Sequence, residues 1–298
     1  MSLPSLDVLA LLRQYRLRPE KSLGQNFLVD ETYLNRVVEA AEIGAHEDVL
    51  EIGAGLGSLT RHLAIHARSV VAVELDSDLI APLQQVVNPF PNVRVVAGDI
   101  LAFAPGELVP GREYIVVANI PYYITSALLR HLLEARFPPL RLILTLQREV
   151  ARRICAGPGD LSLLALSVQV YGQPEIVAHI PAHAFYPPPK VDSAILRIHL
   201  FPSPRIPANQ LDVFFRLIKA GFSQKRKTLR NALAGGLRLS PTLVKTLLRE
   251  AGIDPMRRAE TLALSEWQLL TVIYIDHDLH VQSDSSAPQP EQAGGQQA

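Results

Sequence analysis

Val49-Leu50-Glu51-Ile52-Gly53-Ala54-Gly55-Leu56-Gly57-Ser58 decides the fold. An apolar strand ends in closely spaced glycines, and helical spacing of apolar residues resumes over Leu59 to Ala67. Glycines in that position let the backbone turn tightly and come close to a ligand, so a nucleotide-like cofactor is implied. After Gly53 the spacing is Gly-x-Gly-x-Gly with Ser58 following. The dinucleotide fingerprint wants Gly or Ala at that last position, which tilts the reading away from a nicotinamide cofactor.

Outward from this loop, six apolar runs alternate with helix-like segments: Val49 to Ile52, Val70 to Leu75, Val93 to Ala97, Tyr114 to Ile120, Leu140 to Leu146 and Leu166 to Tyr171. Between them, Asp30 to Ile43, Leu59 to Ala67, Ser77 to Val87 and Ser126 to Phe137 carry helical spacing. The alternation predicts an α/β fold with a mostly parallel sheet and helices on both faces. A further run, Ser193 to Leu200, follows Pro187-Pro188-Pro189 and is expected to finish the sheet as an antiparallel edge. Phe201-Pro202-Ser203-Pro204-Arg205-Ile206-Pro207 reads as a stiff linker, after which only short helices are expected. The expected division is a first domain over 1–202, a helical domain over 203–282, and a tail over 283–298 that is too poor in apolar residues to fold.

Composition excludes several classes. The chain of 298 residues is 48% hydrophobic, enough for a substantial core. A single cysteine, Cys155, rules out an intrachain disulfide framework and a cysteine-based zinc site. The nine histidines show no metal-ligand spacing, so no metal is expected. Neither a basic leader with an apolar stretch nor an apolar run near membrane-spanning length is present, which makes a cytoplasmic protein the expectation. The zero net charge conceals an asymmetry: from Arg205 to Ile275 there are 12 basic and 5 acidic side chains. From Val213 to Asn231 the basic residues Arg216, Lys219, Lys225, Arg226, Lys227 and Arg230 stand without one acid. A solvated face normally mixes signs in i,i+4 pairs, so this run suggests contact with a polyanion. Arg148, Arg152 and Arg153 are secondary candidates for the same surface.

Sheets of this type bind ligands at the carboxyl ends of their strands. Glu74 ends the second strand and can accept hydrogen bonds from ribose hydroxyls; Asp99, in Gly98-Asp99-Ile100, can accept from the amino group of an adenine ring. Asn119-Ile120-Pro121-Tyr122 follows the fourth strand and offers an amide, turn carbonyls and an aromatic face together. Those are the parts that hold a planar exocyclic amine, although Asn-X-Pro is also an ordinary way to turn a chain.

Together with Lys21-Ser22-Leu23-Gly24-Gln25-Asn26-Phe27-Leu28, Phe185-Tyr186-Pro187-Pro188-Pro189-Lys190-Val191-Asp192-Ser193 and Phe222-Ser223-Gln224-Lys225-Arg226-Lys227-Thr228-Leu229-Arg230-Asn231, these motifs resemble the bacterial 16S rRNA adenine N6-dimethyltransferase family. The resemblance runs from about Lys21 to about Leu264. It implies a Rossmann-like class I methyltransferase fold with a seven-stranded, mostly parallel sheet and a small C-terminal all-helical domain. It also implies S-adenosylmethionine as cofactor, held by Asn26, Leu28, Gly53, Gly55, Glu74, Asp99 and Asn119. Asn119, Pro121, Tyr122 and Phe185 would form the catalytic slot, with Tyr123 and Tyr186 as neighbouring stacking candidates. Lys219, Lys225, Arg226, Lys227 and Arg230 would meet the RNA. The implied partner is 16S rRNA in the small ribosomal subunit or its precursor, dimethylated at two adjacent adenosines by a monomer. Rival readings are a 23S rRNA methyltransferase of the macrolide-resistance type, a non-catalytic ribosome-assembly or transcription factor on the same fold, and a nicotinamide dehydrogenase.

Overall fold

A computed structural model describes residues 3–110, 113–121 and 124–285, with side chains as far as 277. The chain forms two compact units, residues 1–156 with 164–205, and residues 157–163 with everything from 206 onward.

The first unit runs α1 (Val8–Gln14), β1 (Phe27–Leu28), α2 (Glu31–Ala41), β2 (Asp48–Ile52), α3 (Ser58–His66), β3 (Ser69–Glu74), α4 (Ser77–Val87), β4 (Val93–Ala97) and α5 (Pro105–Leu108). It continues through β5 (Tyr114–Asn119), α6 (Thr125–Leu133), β6 (Arg141–Gln147), α7 (Arg148–Ile154), α8 (Leu163–Gln169), β7 (Gly172–Ile180), β8 (Phe185–Tyr186) and β9 (Ser193–Leu200). Seven strands form one sheet in the order β4-β3-β2-β5-β6-β9-β7, while β1 and β8 pair separately. The pairs from β4 to β6 are parallel; β9 runs antiparallel to both β6 and β7.

Strand side chains alternate between faces, and here both sets are buried. Val49, Val70, Ile115, Val117 and Ile143 pack with Leu34 and Val37 of α2 and with Leu59 and Leu63 of α3. Leu50, Val71, Val116 and Leu142 on the opposite face are equally inaccessible. Local signals set the helix starts: Asp30 Oδ1 accepts from Thr32 N at 2.8 Å, and Asp76 Oδ1 from Asp78 N at 3.0 Å, each satisfying an amide of a first turn.

Two expectations are corrected. The run Leu166 to Tyr171 is not a strand: Leu163–Gln169 is α8, and the strand begins at Gly172. A short apolar run has no periodicity to separate a buried helix from a buried strand, whereas Gln173 to His179 alternates in exposure as an edge strand does. Pro174 fits there because β7 pairs only with β9. For the same reason Ser193–Leu200 is antiparallel but not the edge; β7 covers its outer side.

The second unit holds α9 (Leu211–Phe222), α10 (Leu229–Leu237), α11 (Pro241–Glu250) and α12 (Leu264–Ser285). Its buried side chains include Phe214, Leu217, Leu233, Leu247 and Trp267, the last with no exposed surface. Phe222 and Trp267 rings lie 6.0 Å apart. Most of the expected tail, residues 286–298, lies outside the described residues. Among the described residues no helix is long and apolar enough to cross a membrane.

Gly221 of α9 faces this tryptophan so closely that a Cβ would stand 2.5 Å from Trp267 Cη2. Gly221→Ala should therefore cost the protein about 1–3 kcal/mol through overpacking, read as a lowered midpoint in chemical denaturation with the slope unchanged.

Candidate active site

From β2 the chain builds outward to β3 and β4, then returns to place β5 on the other side of β2. The carboxyl ends of β2 and β5 therefore flank a crevice where the strand order reverses, the expected place for a ligand. The glycine loop fills one side of it. Gly53 N and Ala54 N both donate to Val73 O, at 2.9 and 3.2 Å, which bends the loop over the end of β3. Gly53 has φ +75° and Gly55 φ +57°; a Cβ on the first would meet Asn119 O at 3.3 Å and on the second the Phe27 ring at 3.1 Å. Any side chain at either position would be strained and crowded.

Glu74 holds this loop in place. Its Oε2 accepts from Gly55 N at 2.7 Å and its Oε1 from Asp76 N at 2.9 Å. Burial raises its pKa above the usual carboxylate range and the nearby Asp76 charge adds to this, while the backbone donors at Asp76 and Gly55 oppose the shift. Each carboxylate oxygen keeps a further lone pair for an incoming hydroxyl.

Asn119 ends β5 on the other side. Its Nδ2 donates to Asn26 O at 3.0 Å, an orientation in which only the amide nitrogen can meet the carbonyl. Asn26 reaches this position because β1 pairs with β8, Leu28 opposite Phe185 and Phe27 opposite Tyr186. Its own Nδ2 donates to Gly24 O at 2.9 Å, and Gln25 Nε2 donates to Asp76 Oδ2 at 2.6 Å, tying the segment to the start of α4.

These elements enclose a cavity of about 180 Å³. Asn26, Gly53, Gly55, Glu74, Asp99, Asn119, Pro121 and Phe185 all line it. Asp99 sits at the rim, exposed, with Oδ1 accepting from Leu101 N at 2.9 Å. Leu28 does not line the cavity: its side chain turns into the core between α2 and the sheet and borders a smaller cavity behind the loop. Tyr122 and Tyr123 lie outside the described residues. Tyr186 packs with Val8, Leu11, Leu12 and Phe27 under α1.

Several contributors escaped the sequence reading. Ile52, Val73, Ile100, Leu101 and Ile120 give the cavity apolar walls, and Leu23, Gly24 and Gln25 close one side. Helix α1 was missed although Val8, Leu11, Leu12 and Tyr15 carry helical spacing after the Asp7 cap.

In the second unit Lys219, Lys225, Arg226 and Lys227 are exposed and Arg230 is half-buried, its Nε donating to Asn231 Oδ1 at 3.1 Å. Leu229 N and Arg230 N donate to Arg257 O and Pro255 O, at 2.7 and 3.3 Å. The first amides of α10 are thus already satisfied, and the side chains rather than a helix terminus are what this surface offers to an anion. Arg216 lies over the Tyr274 ring at 5.0 Å. In the first unit Arg148 is 3.6 Å from Asp192, while Arg152 and Arg153 are exposed.

The family model described as ribosomal RNA adenine dimethylase matches residues 16–273. A relative from Dehalococcoides mccartyi (strain CBDB1), "Ribosomal RNA small subunit methyltransferase A", is 46% identical over 92% of this chain and 95% of its own. One of the same name from Moorella thermoacetica is 44% identical over 87% and 93%. Among solved structures, a dimethyladenosine transferase from Plasmodium falciparum superposes with TM-score 0.73 at 25% identity, covering 85% of this chain and 98% of that one. The 23S rRNA methyltransferase ErmE superposes with TM-score 0.68 at 31% identity, covering 83% and 99%. With a switch-point cavity bounded by Gly53, Glu74, Asp99 and Asn119 and a family model spanning both units, the chain belongs to the ribosomal RNA adenine dimethylase family.

Proposed function

We propose that the protein transfers methyl groups from S-adenosylmethionine to N6 of adenosines in small-subunit rRNA, two adjacent residues each receiving two by family likeness. The single observation that carries this reading is Asn119, whose amide nitrogen is committed to Asn26 O and whose Oδ1 is thereby set as an acceptor beside the glycine loop. The residues present suit the cofactor. A carboxylate at Glu74 matches vicinal hydroxyls, apolar walls at Ile100 and Leu101 suit a flat ring, and Asp99 at the rim can accept from an exocyclic amine. When bound, the cofactor supplies an activated methyl group on a sulfonium.

The lone pair of adenine N6 is delocalised into the ring and makes it a poor nucleophile. Asn119 Oδ1 and a backbone carbonyl of Ile120 or Pro121 can each accept one N–H of the amine, favour a pyramidal nitrogen and stabilise the positive charge that grows on it. Pro121 O already accepts from Ile124 N at 3.2 Å, which leaves one lone pair. No strong base is needed; the chain positions the nitrogen and supplies dipoles. Phe185, 4% exposed and lining the cavity, forms an aromatic wall for an extruded base, the role proposed also for Tyr122. Gly55, Glu74, Asp99 and Asn26 hold the cofactor in this reading, and the adjoining Leu28 supports that segment from the core.

The basic side chains of the second unit supply sequence-independent affinity for the rRNA backbone. The relatives' names favour the small subunit, and the ErmE likeness makes the large subunit the comparison to run.

Purified small and large subunits incubated with labelled cofactor should show incorporation into the small subunit alone, as N6,N6-dimethyladenosine. Incorporation into the large subunit would overturn the substrate assignment. Asn119→Ala should lower kcat about 10²–10³-fold, as loss of one preorganised charge-stabilising group does, with the thermal midpoint near that of the parent protein. Replacing Lys225, Arg226 and Lys227 together by Ala should weaken subunit binding and lower the slope of log affinity against log salt by about 2 to 3. An unchanged slope would remove these side chains from the RNA surface.

A further inference from the structure

A second hollow, of about 680 Å³, lies on the first unit beside the glycine-loop cavity. Its volume falls within the roughly 300–1,000 Å³ of sites that hold a small ligand. Ala127, Arg130, His131 and Glu134 form one wall. At i, i+3, i+4 and i+7 they share one face of α6 and span about 10 Å. Residues 101–107 form the other wall. Where α6 has ended, Gly106 approaches Phe137 so closely that a Cβ would stand 2.6 Å from Phe137 Cβ, which closes that end. At the opposite end Leu101 borders both hollows, and Ile124, immediately before α6, borders the glycine-loop cavity. The hollow is thus a groove that starts beside Asn119 and Pro121 and runs along α6, open to solvent at the exposed Ala102, Ala104 and Ala127.

Three half-buried rings line it: Phe103, His131 and Phe137. His131 Nε2 is 2.9 Å from Phe103 O. A carbonyl only accepts, so Nε2 carries the proton and ties the two walls together, and in the neutral ring Nδ1 is left as an acceptor. The Arg136 guanidinium lies over the Phe137 ring, 5.2 Å from its centroid. Charges at the rim are mixed: Arg130 Nε donates to Glu134 Oε2 at 2.9 Å, and Glu107 stands exposed on the facing wall. Two arginines set against two carboxylates grip phosphates poorly. Aromatic and guanidinium planes suit the flat face of an unstacked nucleobase.

We propose that this groove receives the base next to the target adenosine in the same RNA strand and stacks it against Phe103, His131 and Phe137. The inference rests on the reading of Asn119, Ile120 and Pro121 as the slot for an rRNA adenosine. Extruding a base into that slot takes a stacking partner away from its neighbour. A stacking wall that begins at the slot returns one, so extrusion costs less and the strand is held on one side of the reacting nitrogen. Recognition is by ring faces, which every base has, so the groove orders the strand without reading its sequence. The bond from His131 to Phe103 O fixes the separation of the two walls.

The test fills the groove from an exposed position of α6 that does not border the glycine-loop cavity, with Ala127→Trp. Binding of this variant to purified small ribosomal subunits should weaken about 10- to 100-fold, as loss of one stacked base does, and kcat/KM for incorporation of labelled methyl groups should fall with it. S-adenosylhomocysteine affinity by calorimetry and the thermal midpoint should match the parent protein. The slope of log affinity against log salt should also stay at the parent value, because a stacked base releases no counterions. That reading separates the groove from Lys225, Arg226 and Lys227. Ala127→Ser, which leaves the groove open, should bind as the parent does. Parent-like or tighter binding by Ala127→Trp would overturn the inference alone, and a lowered salt slope would overturn it in favour of phosphate contact. If the parent protein neither binds nor methylates small subunits, the slot reading falls and the inference with it. Should Ala127→Trp not fold, Phe137→Leu takes its place with the same expected readings, since it keeps the backbone carbonyl to which Tyr114 Oη donates at 2.9 Å.

Discussion

One hydrogen bond orders the site: Asn119 Nδ2 donating to Asn26 O. An amide side chain can present either its oxygen or its nitrogen to a substrate, and the two choices have opposite chemistry. Committing the nitrogen to a backbone carbonyl leaves the oxygen as the atom that can accept from an amine. Asn26 is held for this purpose by a two-residue ribbon between β1 and β8, by its own bond to Gly24 O, and by the neighbouring Gln25–Asp76 contact. The same ribbon positions Phe185, so the acceptor and the aromatic wall are set by one pairing.

The two units divide the physical tasks. In the first, charges near the glycine loop are buried and hydrogen-bonded, as with Glu74 between Gly55 N and Asp76 N. Such interactions depend on geometry and are little screened by salt. In the second, Lys225, Arg226 and Lys227 stand in solvent, where affinity for phosphates is long-ranged and salt-sensitive. In the function proposed above, grip on the nucleic acid and placement of the reacting nitrogen fall to different side chains and are tunable separately.

Most of the sheet was legible because strand and helix periods alternate cleanly from Val49 to Leu146, and the glycines mark where the ligand edge lies. The error at Leu166 arose where a short apolar run suits either period, and only burial against the completed core selects the helix. Of the residues named from motifs, Asn26, Gly53, Gly55, Glu74, Asp99, Asn119, Pro121 and Phe185 line one cavity, whereas the backbone of Leu28 joins the ribbon while its side chain joins the core. A motif records which residues recur together and not which way each one faces. The contacts of Gln25 with Asp76 and of Asn26 with Asn119 span distant parts of the chain, and no local pattern could have shown them.

Residues 157–163 belong to the second unit although they lie within the sequence of the first, and Gly159 N and Leu161 N both donate to Glu260 O. A nascent chain has completed every sheet strand by Leu200, yet the partner of this segment is translated about 100 residues after it. The segment must wait, with its amides solvated, until the helices emerge. Severing the chain at the proline-rich linker would consequently not yield two self-sufficient pieces: the leading fragment would carry away a strip of its neighbour, and the trailing fragment would lack it.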